Sequence, residues 1–496
     1  MYYKASNAQE IKKYFENIQN EVSSYELFTV CYIKLGSKIV RILCYSQEFF
    51  AHIKKQLTYT FLEHAEHYDA TLVIWQENDV QKYVQKIVKG NIPLTMRLRH
   101  EAIRTGQKRA QLFLFDDAYS KIYPVLSIEG ERGFIIGNDV KNSTYYYGVR
   151  DLSPEEFIKE GHIFVQFFNK IIKSEDANLV HGAVVGLENK GVLFCARGQR
   201  GKSTLTVLSM MKGFEYVSDD YLILETEKDK LYSYPIYSII TLSPRMYTEL
   251  YDEMKGKFVS NNARKDKYVI NIEGYHQQFK DKYPIELCIF PEIVSDKEPS
   301  MRLCTAEEKG RAIVQFIQST VSQVQDINDQ NVIKKIFAMI NGKEFYKFNL
   351  CSDIQKNTEF LRKFLHTWQP DPANNIKSPE IMLDITFNLA NILDTKTFTI
   401  YSMNKFATNL LENLMNGVSK EEIKAELQKF ETKQPHLSAD FDLFAELLEK
   451  HNFIKFNNEQ KPLDINEEFA KENNYILSVS EFAKDKTNEL VSQNKE

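Results

Sequence analysis

Residues 196–203 read Ala-Arg-Gly-Gln-Arg-Gly-Lys-Ser, a Walker A loop with alanine in the first glycine place. Small residues let successive backbone N–H groups curl around a phosphate chain. Gly198, Gln199, Arg200 and Gly201 supply that cradle, and Lys202 reaches the β and γ oxygens. The Ser203 hydroxyl completes a Mg²⁺ shell, and Thr204 follows in the first turn of a helix whose N-terminus adds partial positive charge. The implied ligand is a nucleoside triphosphate with Mg²⁺. ATP and GTP both remain open, because base-binding residues belong to no motif.

Asp219 and Asp220 follow Lys202 by seventeen and eighteen residues, inside the strand-like run FEYVSDDYLILE, and His181 precedes it by twenty-one, in LVHGAVV. A strand alternates its faces, so adjacent aspartates point apart unless the strand ends or bulges there. Beside a phosphate loop such a pair divides the labour of phosphoryl transfer: one carboxylate on Mg²⁺, the other on the acceptor hydroxyl. Asp219 is assigned to the metal with Ser203, Asp220 is preferred as the base, and His181 orients or tunes it. An ion-paired aspartate and a hydrogen-bonded core histidine are the structural alternative.

The loop needs a strand before it and a helix after it, and GVLFC (191–195) and STLTVLSMM (203–211) have those patterns. Upstream, residues 1–150 alternate strand-like runs (ELFTVCYIKL, KIVRILCYS, TLVIW, AQLFLF, GFIIG, STYYYGV) with a helical stretch near 47–57, which predicts a mixed α/β module. Within it, a helix through HAEH would set His64 and His67 on one face; with no third ligand in sight they read as surface histidines. Helical spacing runs over 154–173, opened by Ser153 and Pro154. The P-loop domain is placed at 151–369, with strands at KYVINI and IELCIFPEIV and helical pattern over 307–342. Its Arg264, Lys265 and Lys267 read as a solvated basic loop, the other reading being a reach to the transferring phosphate.

The Pro- and Asn-rich LHTWQPDPANN (365–375) reads as a linker. Residues 370–457 then carry three strands (EIMLDIT, NLANILD, TFTIYSM) and three helices (405–417, 419–430, 438–454). Ser419 and Glu422 form a capping box on the second helix, and Ser438 or Asp440 caps the third. Residues 458–496 are a polar tail.

Composition narrows the classes. The net charge, 63 − 68 = −5, offers no field for nucleic acid or an acidic membrane. No run approaches eighteen apolar residues, and the N-terminal segment lacks a signal-peptide core. Six scattered cysteines without a CxxC pair give neither a zinc ribbon nor a disulfide framework, so the expected setting is cytoplasmic.

The segment VHGAVV…GVLFCARGQRGKST…GFEYVSDDYLIL resembles the catalytic core of the HPr serine kinase family, over about residues 175–295. The resemblance implies an α/β fold with a P-loop core of the HPr kinase and phosphoenolpyruvate carboxykinase type. It also implies His181, Lys202, Asp219 and Asp220 as catalytic residues, and suggests a homo-oligomer. Ala196 departs from the family's glycine, and no counterpart is found of the later segment tied to phosphorolysis and carrier-protein recognition.

Residues 376–456 resemble the winged-helix-like PqqD fold, the recognition element of ribosomally made, modified peptides. The marks are the aromatic strand TFTIYSMN, the turn NGVS, the EEIKAEL helix and the Asp440…Leu447…Phe453-Ile454 ending. This implies a precursor leader peptide as partner, added as a strand beside 397–403 and packed on the helix at 438–451. The third helix has no basic cluster of a DNA reader. The combined expectation is an ATP-dependent kinase acting on a Ser or Thr of a precursor peptide. Its rivals are a small-molecule kinase and a nucleotide-dependent sensor or binding protein.

Overall fold

A computed structural model describes residues 20, 28–76, 96–98, 109–112, 114–115, 121–127, 134–139, 143–149, 162–172, 174, 176–198, 200–250, 259–262, 267–323, 329–430, 437–450, 453 and 476–478. They form a mixed α/β structure with several sheets.

Near the N-terminus the alternating runs become β1 (Thr29–Leu35), β2 (Lys38–Cys44), α1 (Gln47–Gln56), β3 (Phe61–Leu62), β4 (Ala70–Gln76), β5 (Met96–Leu98), β6 (Arg109–Leu112), β7 (Leu114–Phe115), β8 (Lys121–Ser127), β9 (Phe134–Asp139) and β10 (Thr144–Val149). They pair in the order β3-β1-β2-β4-β10-β9-β8-β6-β5, with β7 on β8. β4 runs parallel to both β2 and β10, which makes the sheet mixed. Ser46 caps α1 by accepting from the Phe49 N–H, and the helix buries Phe49 and Ile53. The helix expected through HAEH is not there. His64 and His67 lie on an exposed irregular segment between β3 and β4, since no apolar face in that stretch would hold a helix against the sheet.

The central body follows: α2 (Val165–Ile172), β11 (Ala177–His181), β12 (Ala183–Leu187), β13 (Lys190–Phe194), α3 (Lys202–Met211), β14 (Glu215–Ser218), β15 (Tyr221–Glu227), β16 (Lys230–Pro235), β17 (Ile239–Leu242), α4 (Pro244–Glu249), β18 (Val259–Asn262), β19 (Lys267–Asn271), β20 (Tyr283–Ile293), β21 (Ser300–Leu303), α5 (Ala306–Gln323), α6 (Gln330–Asn341), β22 (Glu344–Leu350) and α7 (Ile354–Thr367). Its main sheet runs β11-β15-β16-β20-β13-β12-β14, with β22 on β20 and β21 on β22. β11, β12 and β13 are buried along almost their whole length, as strands covered on both faces must be. α2 begins at Val165, later than the helical spacing suggested. His162–Phe164 form a turn instead, with Phe164 at φ 58°, and Ser153 and Pro154 lie outside the described residues. Phe167, Phe168, Leu179, Ile223 and Tyr237 share one core with Ile33, Ile42, Phe49 and Leu72, which welds the N-terminal sheet to this body.

Two lines of chain build the centre. β11 and β12 form one, interrupted at Gly182; β14 and β15 form the other, interrupted at Asp219 and Asp220. They pair antiparallel, His181 opposite Tyr221 and Val184 opposite Ser218. Between these pairs the Gly182 N–H donates to the Asp220 carbonyl at 3.0 Å. Gly182 is glycine for space: an added Cβ would meet Phe316 Cε2 at 2.9 Å and Leu193 Cδ1 at 3.3 Å. Gly182→Ala is therefore expected to cost about 1–3 kcal/mol, as overpacking does, read as a fall in the urea midpoint at unchanged slope.

After the linker come β23 (Ile381–Thr386), β24 (Leu389–Asp394), β25 (Thr399–Met403), α8 (Lys405–Met415), α9 (Lys420–Phe430), α10 (Leu437–Lys450) and β26 (Ile476–Ser478). The linker is pinned: buried Lys309 donates to the Asn375 side chain at 2.9 Å and the Ile376 carbonyl at 2.8 Å. The strands pair in the order β23-β24-β25-β26, with β24 and β25 buried along almost their whole length and β23 buried at alternate residues. Met382, Leu393 and Ile400 pack with Phe316, Ile317 and Ile336 of the central body, while Ile392, Tyr401 and Met403 pack with Leu410, Leu427 and Phe444 of the helices. Ser419 and Glu422 make the capping box on α9. α10 starts at Leu437, so Ser438 and Asp440 fall inside its first turn rather than before it. Within the polar tail, β26 pairs with β25, Ser402 opposite Ser478 and Met403 opposite Ile476. Among the described residues no helix is long and apolar enough to cross a membrane. All six cysteines are buried and free.

Candidate active site

The phosphate loop lies between β13 and α3, as strand–loop–helix requires. Gly201 is the N-cap of α3 at φ 85°, a left-handed conformation that admits glycine freely, and a Cβ there would also meet Leu350 Cδ1 at 2.7 Å. Ser203 and Thr204 lie in the first helical turn, half-buried, and Gly198 is exposed. Gln199 lies outside the described residues. Arg200 pairs with Glu292 of β20, Nη1 to Oε1 at 3.1 Å, and Lys347 shares that carboxylate at 2.8 Å. Lys202 is buried, and its ammonium donates to the carbonyls of Ala196 at 2.5 Å and Arg197 at 3.0 Å. Burial lowers its affinity for a proton, and the Asp220 and Asp219 charges act the other way.

Asp219 and Asp220 sit at the interruption between β14 and β15, so the alternation that would have parted them does not apply. Asp220 takes φ 69°, a conformation aspartate tolerates. Burial opposes its charge, but His162, Lys267 and the Thr241 hydroxyl more than offset this and hold its carboxyl well below the usual range. Thr241 donates to Oδ2 at 2.7 Å, and His162 Nε2 lies 3.9 Å from the same oxygen. Asp219 goes the opposite way. Burial and the Asp220 charge raise it to about 8, against smaller effects of Lys267, the nearby Ser203 hydroxyl and Lys202. Neither of its oxygens has a hydrogen-bond partner among the described residues.

His181 is buried at the end of β11. Burial first, then the Lys202 charge, push its imidazole down to about 3, so it is neutral at pH 7. The structure thus brings His181, Lys202, Ser203, Asp219 and Asp220 into one electrostatic cluster. Two further members of the cluster carry little signal in the sequence. His162 sits in a run that reads as apolar helix, and only its polar type among phenylalanines marked it. Lys267, read as part of a solvated loop, is half-buried at the start of β19 and acts on both aspartates. Arg264 and Lys265 lie outside the described residues.

Among the described residues no three His, Cys, Asp or Glu side chains gather as a self-sufficient metal site. Mg²⁺ does not require one, since it is held by one or two carboxylates together with substrate phosphates. The orphaned Asp219 oxygens beside Ser203 fit such a half-built site.

The raised Asp219 has a measurable consequence. Its folded-state affinity for protons exceeds the unfolded one, so its contribution to stability is full below the ordinary carboxylate range and is lost as pH rises toward about 8. Asp219→Asn removes that loss. In melts without nucleotide or metal, the variant is expected to match the unsubstituted chain near pH 4 and to melt increasingly higher than it as pH approaches 8. A gap that does not widen with pH would show that Asp219 ionises freely.

No family model matches the chain, and no curated protein does. Among solved structures, the HPr(Ser) kinase/phosphatase from Coxiella burnetii is matched at 13% identity and a TM-score of 0.22, over 38% of this chain and 93% of that one.

Proposed function

We propose that the chain is a kinase that transfers the γ-phosphoryl group of ATP, or GTP, to a Ser or Thr hydroxyl of a precursor peptide. One observation carries the reading: beside a phosphate loop with its lysine in place, one strand break holds buried Asp219 and half-buried Asp220, whose proton affinities are driven in opposite directions. Carboxyls pushed apart in this way fit different tasks: Asp220 stays ionised to accept a proton, and Asp219 holds its proton until a bound cation displaces it.

Each residue then has a task. Lys202 leaves its two carbonyls and meets the β and γ oxygens. Asp219 and Ser203 would hold Mg²⁺, which when bound neutralises charge on the transferring group. Asp220, kept ionised by Thr241, His162 and Lys267, orients the acceptor hydroxyl and receives its proton late in transfer. Neutral His181 keeps the pocket from accumulating further positive charge beside Lys202.

The C-terminal sheet and helices would recruit the peptide as a PqqD-like recognition element, raising its concentration at the kinase site. The strand edge expected to take the leader is partly used already, because β26 pairs with Ser402 and Met403 of β25. A leader therefore displaces β26 or pairs beyond it. That covered edge is also the observation favouring a second reading, in which the acceptor is a small molecule and the C-terminal unit is structural.

The deciding experiment is intact-mass spectrometry of a precursor peptide encoded beside the gene, incubated with the chain, ATP and Mg²⁺. A gain of about 80 Da on the peptide supports the kinase reading. Dependence of that gain on the leader supports the recognition role. No gain, with nucleotide consumed in the presence of a small hydroxylated acceptor, favours the second reading.

A further inference from the structure

The phosphate loop is tied to the C-terminal sheet by a buried polar chain. The Arg197 backbone N–H donates to Gln315 Oε1 of α5 at 3.2 Å. Gln315 Nε2 in turn donates to Asp384 Oδ1 of β23 at 2.8 Å and lies 3.3 Å from Thr386 Oγ1. Thr386 donates to the same Asp384 oxygen at 2.9 Å, and Arg311 Nε reaches it at 3.2 Å. The other carboxylate oxygen, Oδ2, is buried, has no hydrogen-bond partner among the described residues and lies 4.0 Å from Arg197 Nη1. Gln315 and Asp384 are both wholly buried.

From this geometry we infer that Asp384 and Gln315 are positioning residues of the nucleotide site, so that the C-terminal sheet forms part of that site. The inference rests on the nucleotide-binding reading of the loop. A buried amide with one oxygen and one NH₂ group has a fixed sense when both ends are engaged. Asp384 accepts only, so it forces the NH₂ end of Gln315 toward β23 and the oxygen toward Arg197. Arg197 follows Ala196 at the start of the loop, and its N–H is thereby committed to α5, which sets where the loop leaves β13. The Arg197 and Arg311 side chains both face the Asp384 carboxylate, and Arg311 also lies 3.9 Å from Glu292, the anchor of Arg200. One buried carboxylate from β23 thus orients the loop from its first residues, and a buried network of this kind rewards complete satisfaction.

The test uses the full chain and a fluorescent N-methylanthraniloyl-ATP, with melting temperature recorded for every variant. Asp384→Asn presents an amide to Arg197 and removes the acceptor-only constraint. Gln315→Glu keeps an acceptor for the Arg197 N–H but sets two carboxylates against each other. Each is expected to raise the Kd for the analogue about tenfold, the effect of one disrupted buried hydrogen bond to a charged group. Gln315→Glu/Asp384→Asn inverts the sense of the 315–384 hydrogen bond and keeps an acceptor for the Arg197 N–H, although Arg311 Nε loses its acceptor, and is expected to bind the analogue at least about threefold tighter than the weaker single variant, a strong coupling between neighbours. A purely structural role would move melting temperature and leave the Kd of folded variants unchanged; that outcome overturns the inference. So does a double variant no tighter than the weaker single one. If Gln315→Glu fails to fold, Asp384→Asn and the double variant carry the comparison. Failure of the unsubstituted chain to bind the analogue would overturn the nucleotide reading itself, and this inference with it.

Discussion

Lys202→Ala is expected to reduce phosphoryl transfer by about 10³-fold or more, about 4 kcal/mol of transition-state stabilisation. The ammonium is buried at the start of α3 and held by the Ala196 and Arg197 carbonyls, so it is already within the loop that would enclose the phosphates. A dry position magnifies its effect on developing negative charge. Lys202→Arg is expected to recover little, because a planar fork does not fit a site built around a compact point charge. Peptide binding at the C-terminal unit, followed by fluorescence anisotropy of a labelled leader, should stay within about twofold in Lys202→Ala, since the loop is tied to β23 and the leader is expected beside β25. Transfer at the unsubstituted rate in Lys202→Ala would end the kinase assignment.

The second large effect falls on Asp220. Asparagine is the informative substitution, because it accepts the left-handed backbone as aspartate does and retains an oxygen for the Thr241 hydroxyl. The strand break survives while the charge is lost. Asp220→Asn should lower kcat by about 10²–10⁴-fold, the range for a positioned proton acceptor, with nucleotide affinity nearly unchanged. Asp220→Ala would confound the chemistry with backbone strain at φ 69°. Should kcat persist in Asp220→Asn while Asp219→Asn abolishes it, the roles of the two carboxylates are reversed.

The parts of this site that a reader of the sequence can find are those whose logic is local. The loop 196–203, the strand before it and the helix after it occupy one short stretch, and the adjacent aspartates are unusual within an apolar run. The mixed α/β class follows from runs alternating at strand spacing. What sequence spacing hides is set by distance along the chain. His162 reaches Asp220 across fifty-eight residues by way of a turn that the apolar pattern disguises as helix. Gln315 meets Arg197 across 118 residues and Asp384 across 69, and nothing in the type of a glutamine announces either contact. The basic neighbours of Lys267 suggest a solvated loop, whereas β19 carries its charge to the aspartates. At HAEH the exposed histidines match the surface reading while the helix is absent, because two histidines at helical spacing do not make a helix without an apolar face.

The short strand Ile476–Ser478 also bears on how this protein behaves in concentrated solution. A sheet edge with free N–H and C=O groups is a template on which any extended chain, including another copy, can grow. By laying its own tail against Ser402 and Met403, the chain terminates that growth from within. Three residues are a weak cover, so the edge is shielded against chance neighbours while remaining available to a strand that binds better. Trimming the tail would then be felt first as self-association, before any change in the melting of the folded body.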